Sequence, residues 1–106
     1  MEIDRQATGV EIRVVLAGEV TLAGAQRLQA ELRECLAGES RVVMDLRHVT
    51  GIDLAGLQVL AAAARSLAAR QRRLVILRGD CVARAIVEAG YPPEEVLSGE
   101  DNHDGG

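Results

Sequence analysis

Three times along this chain, a short apolar run typical of a β-strand is followed by a stretch whose apolar residues recur at helical spacing. The pattern predicts strands at 10–16, 41–46 and 74–77 and helices at 22–36, 54–69 and 81–89. Such an alternation requires right-handed crossovers, which place successive strands parallel in one sheet. Residues 1–9 are compatible with a short antiparallel strand at one edge. The sequence therefore predicts a small α/β domain with a mainly parallel sheet.

Two predicted element boundaries depend on single residues. Gly18 is expected to break the first predicted strand, and Thr21 is expected to cap the helix that follows, because a threonine hydroxyl can accept a backbone N–H. The second predicted helix has an apolar stripe at helical spacing. Small residues, Ala62, Ala63 and Ala69, occupy its other faces. Such a flat outer surface permits close approach by another protein.

The composition indicates one domain with an aliphatic core. The chain has 106 residues, 48% of them hydrophobic, and its single aromatic residue is Tyr91. A chain of this length suits one core and leaves no room for a second of useful size. We expect a single domain over 1–97 and a disordered acidic tail over 98–106, because the tail is polar and rich in glycine.

The charge and the cysteines exclude several classes of function. The formal net charge is −4. An acidic chain repels nucleic-acid phosphates and anionic lipids, so neither nucleic-acid binding nor direct membrane insertion is expected. Glu2 and Asp4 stand where a signal peptide would carry basic residues. With Cys35 and Cys81 as the only cysteines, we expect a reduced cytoplasmic protein without a disulfide framework.

No pattern in the chain indicates a catalytic centre. His48 and His103 are the only histidines, and neither lies near Cys81 in sequence. Cys81 begins a predicted helix, but a packed cysteine is the commoner arrangement there. Metal-ligand spacing of the Cys-x-x-Cys kind and phosphate-binding glycine loops are absent from the sequence. We therefore expect no catalytic residue, no metal and no cofactor.

Residues 51–60, Gly-Ile-Asp-Leu-Ala-Gly-Leu-Gln-Val-Leu, form the segment that most indicates a function. Asp53 can cap the second helix by accepting backbone N–H groups at its positive end. Gly56 lies inside the first turn, where glycine costs about 1 kcal/mol relative to alanine. Either tight helix–strand packing or docking of a partner would explain a glycine at this position.

These residues resemble the signature of STAS domains, the family of the anti-sigma-factor antagonists. The signature is a strand ending in Asp45-Leu46, a short loop, and Asp-x-x-Gly-Leu-x-x-Leu, here Asp53 to Leu60. Further similar segments are Gly18-Glu19-Val20 with Thr21, Leu74 to Leu77, and Val82-Ala83-Arg84 with Ile86 and Gly90. The resemblance implies a mixed sheet of four or five strands with helices largely on one side. It also implies function through docking of the helix that Asp53 opens.

The chain departs from the family at the phosphorylation site. In anti-sigma-factor antagonists, the residue before the motif glycine is a serine or threonine that a partner kinase phosphorylates, and the added charge ejects the partner. Ala55 occupies that position here, and Leu54 precedes it. Neither side chain can carry phosphate. The resemblance therefore implies a partner that is bound without this switch.

Two hypotheses about the partner follow from the resemblance. The first is a bacterial signalling regulator that binds an anti-sigma factor, a kinase-like ATPase or a chemotaxis protein. The second is a cytoplasmic accessory subunit of an ABC-type lipid transporter, in which the ABC ATPase is the partner; relatives of that kind usually have threonine where this chain has Leu54. The residues expected to bind the partner, beside a loop at 48–51, are Asp53, Leu54, Ala55, Gly56, Gln58, Ala62 and Arg65.

Overall fold

The computed structural model describes residues 1–38, 41–71, 74–90 and 100–101. Within them the elements, in chain order, are β1 (Glu2–Ala7), β2 (Glu11–Val20), α1 (Leu22–Ala37), β3 (Arg41–Ile52), α2 (Leu54–Ala69), β4 (Leu74–Leu77), α3 (Gly79–Glu88) and β5 (Glu100–Asp101). The strands form one sheet in the order β1-β2-β3-β4-β5. The β1 strand is antiparallel to β2, and all other neighbours are parallel. The predicted mixed, mainly parallel sheet is confirmed.

All three helices cover the same face of this sheet. Alternate residues of the strands point into one apolar cluster with residues of α1, α2 and α3, as the two-residue period of a strand requires. Fully buried members of this cluster include Val14, Leu16, Leu28, Met44, Leu60, Ile76 and Ile86. All of them except Met44 are aliphatic, as the near-absence of aromatic residues predicts. The expected packing of helices largely on one side is confirmed.

Two strands are longer than predicted. The β2 strand continues through Gly18, whose φ of +84° and shifted register mark a bulge rather than an end. The β3 strand continues to Ile52, because pairing with β2 supplies backbone partners for residues beyond Leu46, including His48. The loop predicted at 48–51 is therefore wrong, and these residues belong to a strand. The bounds predicted for α2 and β4 are confirmed.

The predicted acidic tail at 98–106 lies mostly outside the described residues. Glu100 and Asp101, the described part of it, form β5 and pair with Val75 and Ile76 of β4. The division into a domain over 1–97 and a tail stays a prediction.

The opposite face of the sheet carries a buried charge. Val43, Val75 and Leu77 form a small apolar cluster there, and Asp45 is buried on the same side of β3. The Asp45 carboxylate accepts a bidentate pair from the Arg47 guanidinium, with Nε···Oδ1 at 3.0 Å and Nη2···Oδ2 at 2.9 Å, and a third bond from the Arg47 backbone N–H. A carboxylate can be buried here because Arg47 pairs with both of its oxygens.

This pair predicts an acid-sensitive contribution to stability. The Arg47 side chain holds the pKa of Asp45 below its usual value of 3.8. Because the pKa is depressed in the folded state, the stabilisation is fully present above the unfolded-state pKa and is lost as the pH falls through the folded-state pKa. Asp45→Asn is expected to cost about 1–2 kcal/mol at neutral pH, since half of Arg47 stays in water. Urea unfolding between about pH 5 and pH 2 should show the difference between the two proteins shrinking.

The exposed carboxylate Glu2 provides the control for this measurement. Glu2→Gln is expected to keep the wild-type stability at both ends of the pH range. A constant difference between the wild type and Asp45→Asn down to the lowest pH would contradict the assignment to the Asp45–Arg47 pair.

Candidate functional site

One carboxylate holds the starts of two helices. Asp53, the N-cap of α2, accepts the Gly56 backbone N–H through Oδ1 at 2.9 Å. Its second oxygen, Oδ2, accepts the backbone N–H of Leu22, the first residue of α1, at 3.0 Å. The backbone N–H of Asp53 donates to the carbonyl oxygen of Val20 at 3.2 Å. The first turns of α1 and α2 are therefore tied together at the carboxyl ends of β2 and β3.

The capping role of Asp53 is confirmed, and it is wider than predicted. Thr21 occupies the N-cap position of α1, as predicted, but its side chain makes no capping hydrogen bond. The Leu22 N–H, which has no acceptor within its own helix, bonds to Asp53 instead. The bonds from Gly56 and then from Leu22 lower the pKa of Asp53 below its usual value. Asp53 is therefore ionised at neutral pH, between the positive ends of two helices.

Gly56 is buried where α2 crosses the end of β2. A Cβ at this position would lie 2.5 Å from the Val20 carbonyl oxygen and 3.0 Å from Ile52 Cγ1. Only a residue without a side chain at this position lets α2 approach the sheet this closely. Among the residues expected to bind a partner, Gly56 differs from the others because it faces the core. Its geometry supports tight helix–strand packing, one of the two explanations that the sequence allows.

The other expected residues share one side of α2. Leu54, Gln58, Ala62 and Arg65 are exposed and follow one another at helical spacing, while Ala55 is half-buried in the first turn. Together with the exposed Asp53 they form what we call the α2 row: Asp53, Leu54, Ala55, Gln58, Ala62 and Arg65. The row carries an acid, Asp53, at one end and a base, Arg65, at the other, with Gln58 and the small Ala62 between them.

The structure differs from the spacing prediction for α2 at two positions: Ala63 is buried, and Ala68, which the spacing places on the apolar stripe, is exposed. Ala63, predicted to lie on an outer face, is 5% exposed and packs in the core cluster with Leu60 and Leu67. Residues three and four positions apart share a helix face, so Ala63 belongs with these leucines. The exposed small residues of α2 are therefore Ala62, Ala68 and Ala69.

Sequence reasoning missed Leu22. This side chain is 72% exposed, and Leu54, at the same position of α2, is 51% exposed. Both helices begin with Leu-Ala-Gly, at 22–24 and at 54–56, and this repeated triplet is the signal that would have identified the pair. Because Asp53 bonds to the N–H of Leu22, the two exposed leucines lie at neighbouring helix ends. Exposed leucines on both sides of one carboxylate extend the apolar surface at the start of the α2 row.

The two described residues considered for chemistry, His48 and Cys81, lie on different elements, and His103 lies outside the described residues. His48 is exposed on β3 opposite Ala17, and Cys81 is half-buried in the first turn of α3. Within the described residues, no group of three or more His, Cys, Asp and Glu side chains is placed to hold a metal ion. None of the helices in the described part of the chain combines the length and apolar character needed to cross a membrane.

Solved structures with the same fold include anti-sigma factor antagonists and a sulfate transporter family protein. An anti-sigma factor antagonist from Mycobacterium paratuberculosis is 22% identical, with a TM-score of 0.75 over 98% of this chain and 88% of that one. The phosphorylated Bacillus cell fate determinant SpoIIAA is 15% identical, with a TM-score of 0.69 over 98% and 94%. A sulfate transporter family protein from Wolinella succinogenes is 22% identical, with a TM-score of 0.61 over 88% and 80%. At these identities the likeness establishes the fold.

The family of the chain follows from its sequence match. No curated protein sequence matches this chain. A family model described as "Mlab, STAS domain" matches residues 3–90, a range that includes β1, the α2 row and α3. The Asp53-to-Leu60 segment that carries the family signature is the one that caps and opens α2. The protein belongs to the STAS domain family and resembles the anti-sigma factor antagonists in fold.

Proposed function

We propose that this protein is a non-catalytic regulatory module of the bacterial cytoplasm that binds a protein partner through the α2 row. The partner is an anti-sigma factor, a kinase-like ATPase or a chemotaxis protein of a signalling pathway. The observation that supports this function is the exposed row that starts at Asp53 and continues through Gln58 and Ala62. Its small residues let another backbone approach α2 closely, and its exposed leucine supplies apolar contact area.

The first turn of α2 supports binding that phosphorylation does not control. Ala55 stands where the family signature carries the phosphoacceptor, and its methyl group cannot be phosphorylated. Leu54 before it lacks a hydroxyl as well. In this proposal the complex forms constitutively, so its amount depends on the abundance of this protein or on the state of the partner.

Ala55→Asp tests whether the start of α2 lies in the interface. A carboxylate at this position imitates part of the charge of a phosphorylated residue and is expected to weaken partner binding about tenfold or more, because it places an unpaired charge in the contact. The fold should persist, since an acid in the first turn suits the helix dipole. Isothermal titration calorimetry gives the affinity, and circular dichroism melting gives the stability.

The control for Ala55→Asp is Val87→Asp, which adds the same charge at an exposed position of α3. Partner affinity should then match the wild type. Unchanged affinity in Ala55→Asp would place the start of α2 outside the interface and contradict the proposed docking mode.

The identity of the partner is tested by affinity capture from the native cytoplasm with two baits, the wild type and Ala62→Glu, followed by mass spectrometry. The proposal expects an anti-sigma factor, a kinase-like ATPase or chemotaxis proteins with the wild type, and their loss with the variant. Recovery of an ABC ATPase with its permease would instead support an accessory subunit of a lipid transporter. Equal recovery with both baits would contradict docking through the α2 row.

A further inference from the structure

A groove of about 240 Å³ lies between α1 and α2 on the surface of the domain. Val59, Ala62 and Ser66 of α2 form one wall, and Gln29 and Arg33 of α1 form the other. Ala62 is also a member of the α2 row. The groove is therefore continuous with the proposed docking site, and it extends that site from one helix to two.

The size of the groove indicates what can occupy it. Small-molecule and cofactor sites are usually cavities of about 300–1,000 Å³ that enclose their ligand. This groove is smaller, and its floor is formed by the buried side chains of Leu32 and Ala63. Its dimensions suit one apolar side chain inserted from another protein, in the way that anchor residues enter pockets at interfaces.

The charges around the groove indicate which kind of partner segment can bind there. Arg33 lines one wall, and Arg65 is exposed on α2 next to Ser66. Among the described residues, neither arginine belongs to an ion pair, whereas Glu31 and Glu34 of α1 both pair with Arg5 of β1. The α2 helix itself contains no acidic residue. A chain with a net charge of −4 therefore presents a basic surface at this groove.

We propose that the groove receives an acidic amphipathic segment of the partner protein. One apolar side chain of that segment enters the groove beside Val59 and Ala62, and carboxylates next to it pair with Arg33 and Arg65. Charge complementarity of this kind steers association and selects against basic partners. This inference rests on the proposed function, because it defines which segment of the partner contacts α2, and it adds the chemistry by which that segment is recognised.

The test uses a synthetic peptide of about 15 residues, roughly four helical turns, with leucines on one face and glutamates on both flanks. A second peptide carries lysine in place of every glutamate. Each is titrated into the full chain labelled with ¹⁵N, and amide shifts are followed by NMR. The acidic peptide is expected to shift amides around the groove, including those of Gln29, Arg33 and Ala62. The basic peptide is expected to bind at least about tenfold more weakly.

Two charge-reversal variants locate the binding. Arg33→Glu is expected to weaken the binding of the acidic peptide about tenfold. Arg84→Glu makes the same charge change at an exposed position of α3 and should leave the affinity for this peptide unchanged. Both variants should melt like the wild type, since neither arginine belongs to an ion pair in the described residues. No shift with the acidic peptide, equal binding of both peptides, or equal losses in the two variants would overturn the inference.

The two proposals fail in different ways. If capture of the natural partner is unaffected by Ala62→Glu while the acidic peptide still binds at the groove, the proposed docking function is wrong. If capture depends on Ala62 but the natural partner binds Arg33→Glu as tightly as the wild type, the α2 row is the docking surface but the partner does not use the groove. The inference about the groove is then wrong.

Discussion

Replacing Gly56 with alanine is expected to lower the free energy of unfolding by about 2 kcal/mol, even though alanine is the better helix former. The new Cβ would lie 2.5 Å from the Val20 carbonyl oxygen. That oxygen belongs to the backbone of β2 and already accepts the Asp53 N–H, so it cannot turn aside. Overpacking usually costs about 1–3 kcal/mol, and a contact against fixed backbone belongs at the upper end of that range. After the gain of about 1 kcal/mol in helix propensity, a net loss of about 2 kcal/mol remains.

The second effect of Gly56→Ala is on the functional surface. If α2 moves away from β2 to relieve the contact, the bonds from Gly56 and Leu22 to the Asp53 carboxylate lengthen, because that carboxylate joins both helix ends. Partner affinity should therefore fall together with stability. Urea unfolding measures the first effect, and calorimetry with the captured partner at low temperature, where the variant is folded, measures the second.

Gly24→Ala is a matched control within the same molecule. Gly24 is the third residue of α1 and follows the same Leu-Ala pair, but its Cβ would meet only the end of the flexible Met1 side chain, at 3.0 Å. We expect a change in unfolding free energy within about 0.5 kcal/mol, or a small gain. Equal losses in the two variants would show that the Val20 contact does not require glycine at position 56.

The largest expected effect on binding comes from Ala62→Glu. Ala62 lies in the middle of the α2 row and in the wall of the groove, so a glutamate there fills the groove and adds a negative charge against an acidic partner. A desolvated, unpaired charge at the centre of an interface costs about 2–3 kcal/mol, which corresponds to roughly a 30–150-fold loss of affinity. Calorimetry with the captured partner measures this loss.

Two comparisons decide how the result of Ala62→Glu is interpreted. Ala62 is exposed, and α2 contains no acidic residue that could repel a glutamate introduced there. The melting temperature of the variant should therefore stay close to that of the wild type. Gln58→Arg, one turn earlier in the row, should also change the affinity by more than twofold, because its side chain occupies the same surface. If both variants bind the partner within twofold of the wild type, the α2 row is not the docking surface.

Local sequence patterns were sufficient to predict the elements whose apolar residues follow a clear pattern. The α2 helix spans the residues predicted from its helical periodicity and from the Asp53 cap, and β4 coincides with its apolar run of four residues. The end of β3 could not be predicted in this way, because residues 47–51 are mixed in polarity and are held in the strand by pairing with β2. A backbone hydrogen bond to a neighbouring strand does not depend on the side-chain pattern, so that pattern does not reveal it.

The candidate site likewise contains some features that local sequence predicts and others that depend on tertiary contacts. Its exposed members, from Leu54 to Arg65, follow from helical spacing within one segment, and Asp53 is recognisable as a cap from its position before that segment. The bond from Leu22 to Asp53 joins residues 31 positions apart, and the contact between Gly56 and Val20 exists only because β2 and β3 end side by side. Periodicity and capping act over a few neighbouring residues, so the sequence specifies them directly. Contacts between helix ends and the groove between α1 and α2 depend on how the strands are ordered in the sheet, and only the folded chain brings those residues together.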